Sequence, residues 1–350
     1  MNGRRHELDP VMRMRAMRLF KPGQAVTHPL VMTELAKPSP GEGEILLQVS
    51  ACAVCRTDLQ ICEGDLAARC LPIVPGHQIV GRVESVGGGV TRWKVGDRAG
   101  VAWLAGTDGK CAKCMGGREN LCEDAHFTGW DRDGGYATHT VARADFAFPL
   151  PESFGDFDVA PLLCGGVIGY RSLKISGLKP GGRLGLYGFG ASATLVIQVA
   201  RHWGCRVFVC TRSAAERDRA TALGAEWVGG QLERPPVPLD AAITFAPVGS
   251  VVAAALGALD RGGTVAINAI HLDRVPEMPY ADLWWERSLR SVANFTRTDV
   301  VEFLALAAKI PVRTTYDVYP LAGANIALER LAGGQVRGAA VLQCRETDPR

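Results

Sequence analysis

No apolar run in this chain of 350 residues is long enough to span a membrane. The richest, Val251–Leu259, is short and alanine-rich and reads as a buried helix. Charge of one sign is lacking as well. The formal net charge is only +3, and no basic run is long enough to grip nucleic acid. The opening residues MNGRRHELDPVMRMRAM carry arginines but no apolar core, and Glu7 and Asp9 argue against an organelle leader. The expectation is a disordered lead-in over residues 1–14, a strand at about Arg15–Phe20 and a cytoplasmic chain. No internal repeat occurs. These absences argue against membrane-spanning and nucleic-acid-binding classes and leave a globular chain. At 47% hydrophobic residues it can bury one large core or two ordinary ones.

What is present begins with Gly181–Ser213, GGRLGLYGFGASATLVIQVARHWGCRVFVCTRS. A strand (Arg183–Tyr187), a glycine turn, a helix (Ala191–Trp203) and a second strand (Arg206–Cys210) make a βαβ unit with parallel strands. Gly188, Gly190 and Ala193 form the G-x-G-x-x-A fingerprint of a dinucleotide site. The first allows a tight turn, the second lets backbone approach a pyrophosphate, and the third lets helix pack on strand. The N–H groups that open the helix, at Ala191, Ser192 and Ala193, then face the phosphates. Sites for NAD usually carry Asp or Glu at the end of the second strand, to bind the ribose 2′-hydroxyl. Thr211, Arg212 and Ser213 stand there instead. A guanidinium and two hydroxyls suit a 2′-phosphate, so NADP(H) is favoured over NAD(H).

Short strands with glycine punctuation, among them Glu44–Ala53, Gln78–Val86 and Arg98–Leu104, fill the chain from Arg15 to about Asp145. They suggest a compact, barrel-like antiparallel domain. Beyond Pro161 strands alternate with helices: Ala241–Phe245 and Thr264–Asn268 join the two strands above, with helices at Ala214–Leu223 and Ser250–Leu259. That is a doubly wound α/β sheet. The expected division is a β-rich domain over residues 1–164, a nucleotide-binding domain over 165–296, and a return to the first domain over 297–350.

Eleven cysteines in a chain of this size are metal ligands, reactive thiols or core residues more often than disulfides. Cys55, His77 and Cys164 make a suitable zinc set, two thiolates and an imidazole leaving a fourth position open. Spacing alone does not join them, and without further context two buried cysteines and a satisfied histidine are the plainer reading. Cys111-x2-Cys114-x7-Cys122 has the look of a structural metal lobe.

From about Met14 onward the chain resembles the zinc-dependent medium-chain alcohol dehydrogenase family. The segments that carry this are C-x-T-D at Cys55–Asp58, PGH at Pro75–His77, V-G-D-R at Val95–Arg98, GRENLC at Gly117–Cys122, DGGYA at Asp133–Ala137, Cys164 with its glycines, and the fingerprint. The resemblance implies a GroES-like catalytic domain joined to a Rossmann cofactor domain. It implies catalytic zinc on Cys55, His77 and Cys164, and a structural zinc on Cys111, Cys114 and Cys122. Asp108 stands where the family has a fourth cysteine; it either completes that second site or leaves it without zinc.

The resemblance also makes Thr57 the proton-relay hydroxyl and Asp58 the group that orients His77. It points Arg56 and Arg337 at the cofactor pyrophosphate and Asn268–Ile270 at the nicotinamide. Trp103 and Leu104 would line the substrate pocket, and Cys62 falls where some relatives have a bulky tryptophan. Room there implies medium-chain, aromatic or otherwise bulky primary alcohols. Gln60 replaces the histidine that ends the relay in many members, and Gln78 replaces a glutamate beside the second ligand. The implied reaction is reversible hydride transfer between an alcohol and NADP⁺, in a homodimer or homotetramer. A zinc-free quinone or enone reductase would lack the ligand triad. A nucleotide-binding sensor or structural protein without turnover stays open because of Gln60, Gln78 and Asp108.

Overall fold

The computed structural model describes residues 13–310 and 312–345. The expected lead-in lies outside the described residues except for Arg13 and Met14, which already belong to the first strand. That strand starts two residues early because Arg13 and Met14 pair with Ala36 and Leu35 of the second. The chain forms two compact units, one ending at Cys164 and resuming at Thr315, the other spanning Gly165–Thr314.

In the first unit β1 (Arg13–Leu19) and β2 (Leu30–Ala36) form an antiparallel pair. Next come β3 (Glu44–Val54), helix α1 (Arg56–Glu63), β4 (Gln78–Val86), β5 (Arg98–Val101) and β6 (Leu104–Gly106). The short helix α2 (Ala112–Met115), β7 (His126–Phe127), β8 (His139–Arg143), β9 (Ala147–Pro149) and α3 (Asp156–Val159) complete this part. β3 is the centre of the unit. Its apolar run EILLQVSACAV is buried on both faces because it pairs antiparallel with β4 and also with β8. The single strand expected over Arg98–Leu104 is two strands. Thr128 causes the break: its hydroxyl donates to the Ala102 carbonyl and its N–H to the Trp103 carbonyl.

The second unit opens with α4 (Gly165–Ser176) and alternates β10 (Arg183–Tyr187), α5 (Ala191–His202), β11 (Arg206–Cys210), α6 (Ala214–Ala222) and β12 (Trp227–Gly229). It continues with β13 (Leu239–Thr244), α7 (Gly249–Gly257), β14 (Leu259–Ile267), α8 (Tyr280–Leu283), β15 (Ser288–Ser291) and α9 (Arg297–Lys309). Its six strands are all parallel, in the order β12-β11-β10-β13-β14-β15. Strands buried on both faces need continuous apolar runs. Leu184, Leu186, Val207, Val209, Ile243 and Val265 supply them, each contributing about 1.5–3 kcal/mol of burial. The strand order reverses between β10 and β13, the position where doubly wound sheets hold ligands.

The return to the first unit comes at Thr315 and not at residue 297. α9 stays with the second unit because Asp299 binds Arg171 and Lys174 of α4 at 3.0 and 2.9 Å. The same carboxylate closes a capping box with Thr296 at the start of α9. After Thr315, β16 (Tyr316–Pro320), α10 (Ala324–Ala332) and β17 (Ala339–Gln343) finish the chain, and β17 pairs with β3. No helix among the described residues is long and apolar enough to cross a membrane.

Candidate metal centres and dinucleotide site

The register of β3 against β4 brings the first two candidate ligands together. Ala53 pairs with Gln78, so Cys55 and His77 emerge side by side just past the strand ends. Cys164 closes the set as the chain leaves the turn Ala160–Leu163, which packs on the same two strands. One donor atom from each residue lies within 4.8 Å of the others. The sulfurs of Cys55 and Cys164 are 4.0 Å apart. Two thiolates on a tetrahedral zinc at about 2.3 Å would stand roughly 3.8 Å from each other.

Asp58 organises this cluster from within the fold. Fully buried, it accepts from the Cys55 N–H at 2.8 Å, from His77 Nδ1 at 2.8 Å and from the Tyr136 hydroxyl at 3.1 Å. A carboxylate only accepts, so Nδ1 carries a proton and Nε2 is the ring nitrogen left for another partner. Nε2 is enclosed and has no hydrogen-bond partner among the described residues. A buried nitrogen left unpaired beside two thiols fits a thiophilic metal. Burial works to lower His77, but the charge and hydrogen bond of Asp58, with the Cys55 thiolate, raise it to about 10. The bond to Cys164 pulls the Cys55 thiol well down, while Cys164 rises as the proton-bearing partner.

Glycine lets the two supporting loops interlock. Gly76 has φ +97°, and a Cβ there would fall 2.3 Å from the Tyr136 ring. The Gly135 N–H bonds the Gly76 carbonyl, and the Tyr136 N–H bonds that of Pro75. The PGH and DGGYA segments are thus two halves of one support. Spacing offered no sign that Tyr136 reaches Asp58.

Around the cluster, the Thr57 hydroxyl lies 3.9 Å from the Cys55 sulfur. Gln60 Oε1 is enclosed without a partner, and Gln78 Nε2 donates to the Ala53 carbonyl at 3.2 Å. Trp103 meets the His77 ring edge-on at 4.7 Å and stacks on Phe127 and Trp130, two aromatics absent from the sequence expectation. Leu104 is buried beside them on β6. Cys62 is fully enclosed on the last turn of α1, and burial raises its thiol strongly. Arg56 is exposed at the start of α1, as is Arg337 just before β17.

The second cluster joins Asp108, Cys111, Cys114 and Cys122, again with donor atoms within 4.8 Å of one another. The sulfurs of Cys111 and Cys122 are 3.8 Å apart. Asp108 Oδ1 accepts from the N–H groups of Cys111 and Lys110, which hold the carboxyl well below the usual range. Burial pushes Cys114 up to about 11. A carboxylate in the fourth place keeps the set tetradentate with a harder ligand. Asp108→Asn keeps the oxygen that binds the backbone and removes the charge. It is expected to lose the zinc of this lobe to a chelator about tenfold faster than wild type. Release followed with a colorimetric chelator checks this, and unchanged kinetics would remove Asp108 from the ligand set.

In the second unit the fingerprint lies at the strand reversal. Gly188 has φ +88°, and a Cβ there would press on the Ala246 N–H at 3.2 Å. Above Gly190 a Cβ would meet nothing within 4 Å, which leaves backbone accessible to a pyrophosphate. No side chain caps α5, so the N–H groups of Ala191, Ser192 and Ala193 remain for an anion. Asn268 follows β14, its N–H on the Thr244 carbonyl, and Ile270 is exposed beyond it. In the turn after β11 both hydroxyls have partners within the chain. The Thr211 hydroxyl binds the Glu216 carboxylate, and the Ser213 hydroxyl caps α6. Arg212 is exposed.

Residues 41–152 match the family described as "Alcohol dehydrogenase GroES-like domain". A chain of Mycobacterium tuberculosis described as "Probable alcohol dehydrogenase AdhA" is 48% identical over 335 residues, covering 94% of this chain and 97% of that one. An alcohol dehydrogenase of Geobacillus stearothermophilus is 34% identical over 326 residues, covering 90% and 96%. Among solved structures, a cinnamyl alcohol dehydrogenase from Sorghum bicolor superposes with a TM-score of 0.86 at 26% identity, covering 96% of this chain and all of that one. With a GroES-like unit, a Rossmann unit and this degree of likeness along nearly its whole length, the chain belongs to the zinc-dependent medium-chain alcohol dehydrogenase family.

Proposed function

We propose that this alcohol dehydrogenase oxidises medium-chain, aromatic or otherwise bulky primary alcohols reversibly, with NADP(H), using zinc held by Cys55, His77 and Cys164. The observation that supports it most is the enclosed, unpartnered Nε2 of His77 beside two thiols. Zinc would supply a Lewis acid that lowers the pKa of a hydroxyl, and NADP(H) the hydride carrier. Asp58 keeps the His77 lone pair directed at the sulfurs. Thr57 is assigned to take the hydroxyl proton. Gln60 cannot pass it on, because an amide does not exchange a proton near neutral pH, so the onward route runs through water or ribose. Trp103, Leu104 and Cys62 are assigned to the substrate pocket, and Gly188–Ala193 to the pyrophosphate. Asn268 and Ile270 are assigned to the nicotinamide end. Asp108, Cys111, Cys114 and Cys122 would hold a structural zinc. A cytoplasmic homodimer or homotetramer is the proposed setting.

One observation favours a second reading, an NAD(H)-dependent version of the same reaction. The Glu216 carboxylate sits on the Thr211 hydroxyl, close to the place where an acid would bind a ribose diol. Initial rates with linear, branched and benzylic alcohols, with NADP⁺ and NAD⁺ in parallel, decide between them. The expected result is about tenfold higher kcat/KM with NADP⁺, the effect of one charge-assisted phosphate contact. A preference for NAD⁺ would overturn the cofactor assignment. Silence with both, in zinc-loaded protein, would favour a sensor without turnover.

A further inference from the structure

The turn after β11 has spent most of the groups that the sequence offered to a 2′-phosphate. The Thr211 hydroxyl is held by Glu216, and the Ser213 hydroxyl accepts from the Glu216 N–H. Arg217 donates to the carbonyls of Thr211 and Arg212. A different arginine remains. Arg219 lies one turn further along α6, three residues after Glu216 and therefore on the same face. Side chains on a helix lean toward its N-terminus, which carries this one back toward the end of β11.

Its guanidinium reaches the glycine turn. Nη2 donates to the carbonyl of Phe189, the middle residue of Gly188-Phe189-Gly190, at 3.4 Å, which is long for such a bond. Nε is enclosed and has no hydrogen-bond partner among the described residues. No ion pair joins Arg219 to Glu216 among them either, although the two share a helix face. A guanidinium offers five donors in a planar fork, and here one long bond accounts for one of them. An enclosed donor without a partner is costly. In a dinucleotide fold the group that meets the adenosine ribose comes from the end of the second strand, here β11, beside the glycine turn. Residues 212–219 carry three guanidiniums against the carboxylates of Glu216 and Asp218, so the segment stays net positive. A phosphate matches both the charge and the fork.

We infer that Arg219 is the residue of this chain that reads the 2′-phosphate of the cofactor, the role that the Thr211–Ser213 turn was expected to fill. The inference rests on the NADP(H) reading. Its rival is a purely structural role, a strut that pins the Phe189 carbonyl.

Calorimetric titration of the zinc-loaded protein with adenosine 2′,5′-bisphosphate and with 5′-AMP separates these without measuring turnover. Wild type is expected to bind the bisphosphate more tightly. Arg219→Gln is expected to lower that preference about tenfold while leaving 5′-AMP within about twofold. Arg219→Lys, which keeps the stem and the charge but not the fork, is expected to fall between them. A preference retained in Arg219→Gln would overturn the inference, and equal weakening of both ligands would assign the strut instead. Wild type with no preference for the extra phosphate would remove the NADP(H) reading, and with it this role for Arg219, before any variant is compared.

Discussion

Cys55→Ala is expected to lower alcohol turnover about a thousandfold or more, since Lewis-acid stabilisation of a developing alkoxide is worth several kcal/mol. Bound zinc should fall by one equivalent, and dinucleotide binding should persist. The reason lies in where the parts sit. The thiol belongs to the buried cluster with His77 and Cys164, whereas Gly188–Ala193 and the start of α5 are built within the second unit. The fold should tolerate the change, because the Cys55 N–H keeps its bond to Asp58. Zinc content and cofactor titration beside initial rates make the check. Full turnover in the variant would sink the metal role of Cys55. Intact cofactor binding without turnover would support it and exclude general unfolding.

Asp58→Asn should have the next largest effect, and it acts without touching a substrate. The carboxylate accepts from three donors, and an amide cannot. With its NH₂ toward His77, the asparagine would make Nδ1 an acceptor and move the ring proton to Nε2, turning the lone pair away from the sulfurs. Zinc affinity is expected to fall about 10–100-fold. Removing one partner of a buried charged pair costs about 3–5 kcal/mol of stability. Competition with a fluorescent chelator and a denaturant melt measure the two losses separately. Unchanged zinc affinity would mean that Asp58 supports the fold alone.

The same pair sets a pH dependence. In the metal-free protein His77 is raised from its ordinary 6.5 to about 10, so its ion pair with Asp58 adds stability fully below the ordinary value. That stability fades as pH rises through about 10. Zinc needs the neutral ring and thiolates, so binding should release protons and tighten as pH rises toward that value. Zinc affinity that is flat with pH would contradict the raised histidine.

Much of the second unit was legible from local pattern. β10 and β11 carry the expected bounds because a parallel strand buried on both faces is a near-continuous apolar run. β4 was equally clear, but β12 and β15 were not, being only three and four residues long. The split of Arg98–Leu104 depends on Thr128, which is distant in the chain. The place of α9 depends on Asp299 meeting two cations of α4. Neither leaves a periodic trace.

Residue types and near neighbours in the chain were enough to name the chemistry at hand: cysteines and a histidine of the right softness, a glycine turn between strand and helix, and a carboxylate, Asp58, three residues after Cys55. These are properties of residue types and of neighbours along the chain. Which of them meet is a matter of the fold. Antiparallel pairing of Ala53 with Gln78 sets Cys55 beside His77, and two interlocked glycine loops place Tyr136 on Asp58. A helix face carries Arg219 to the glycine turn. Contacts between residues far apart in the chain depend on strand register and side-chain packing, and neither is written in the spacing of one sequence.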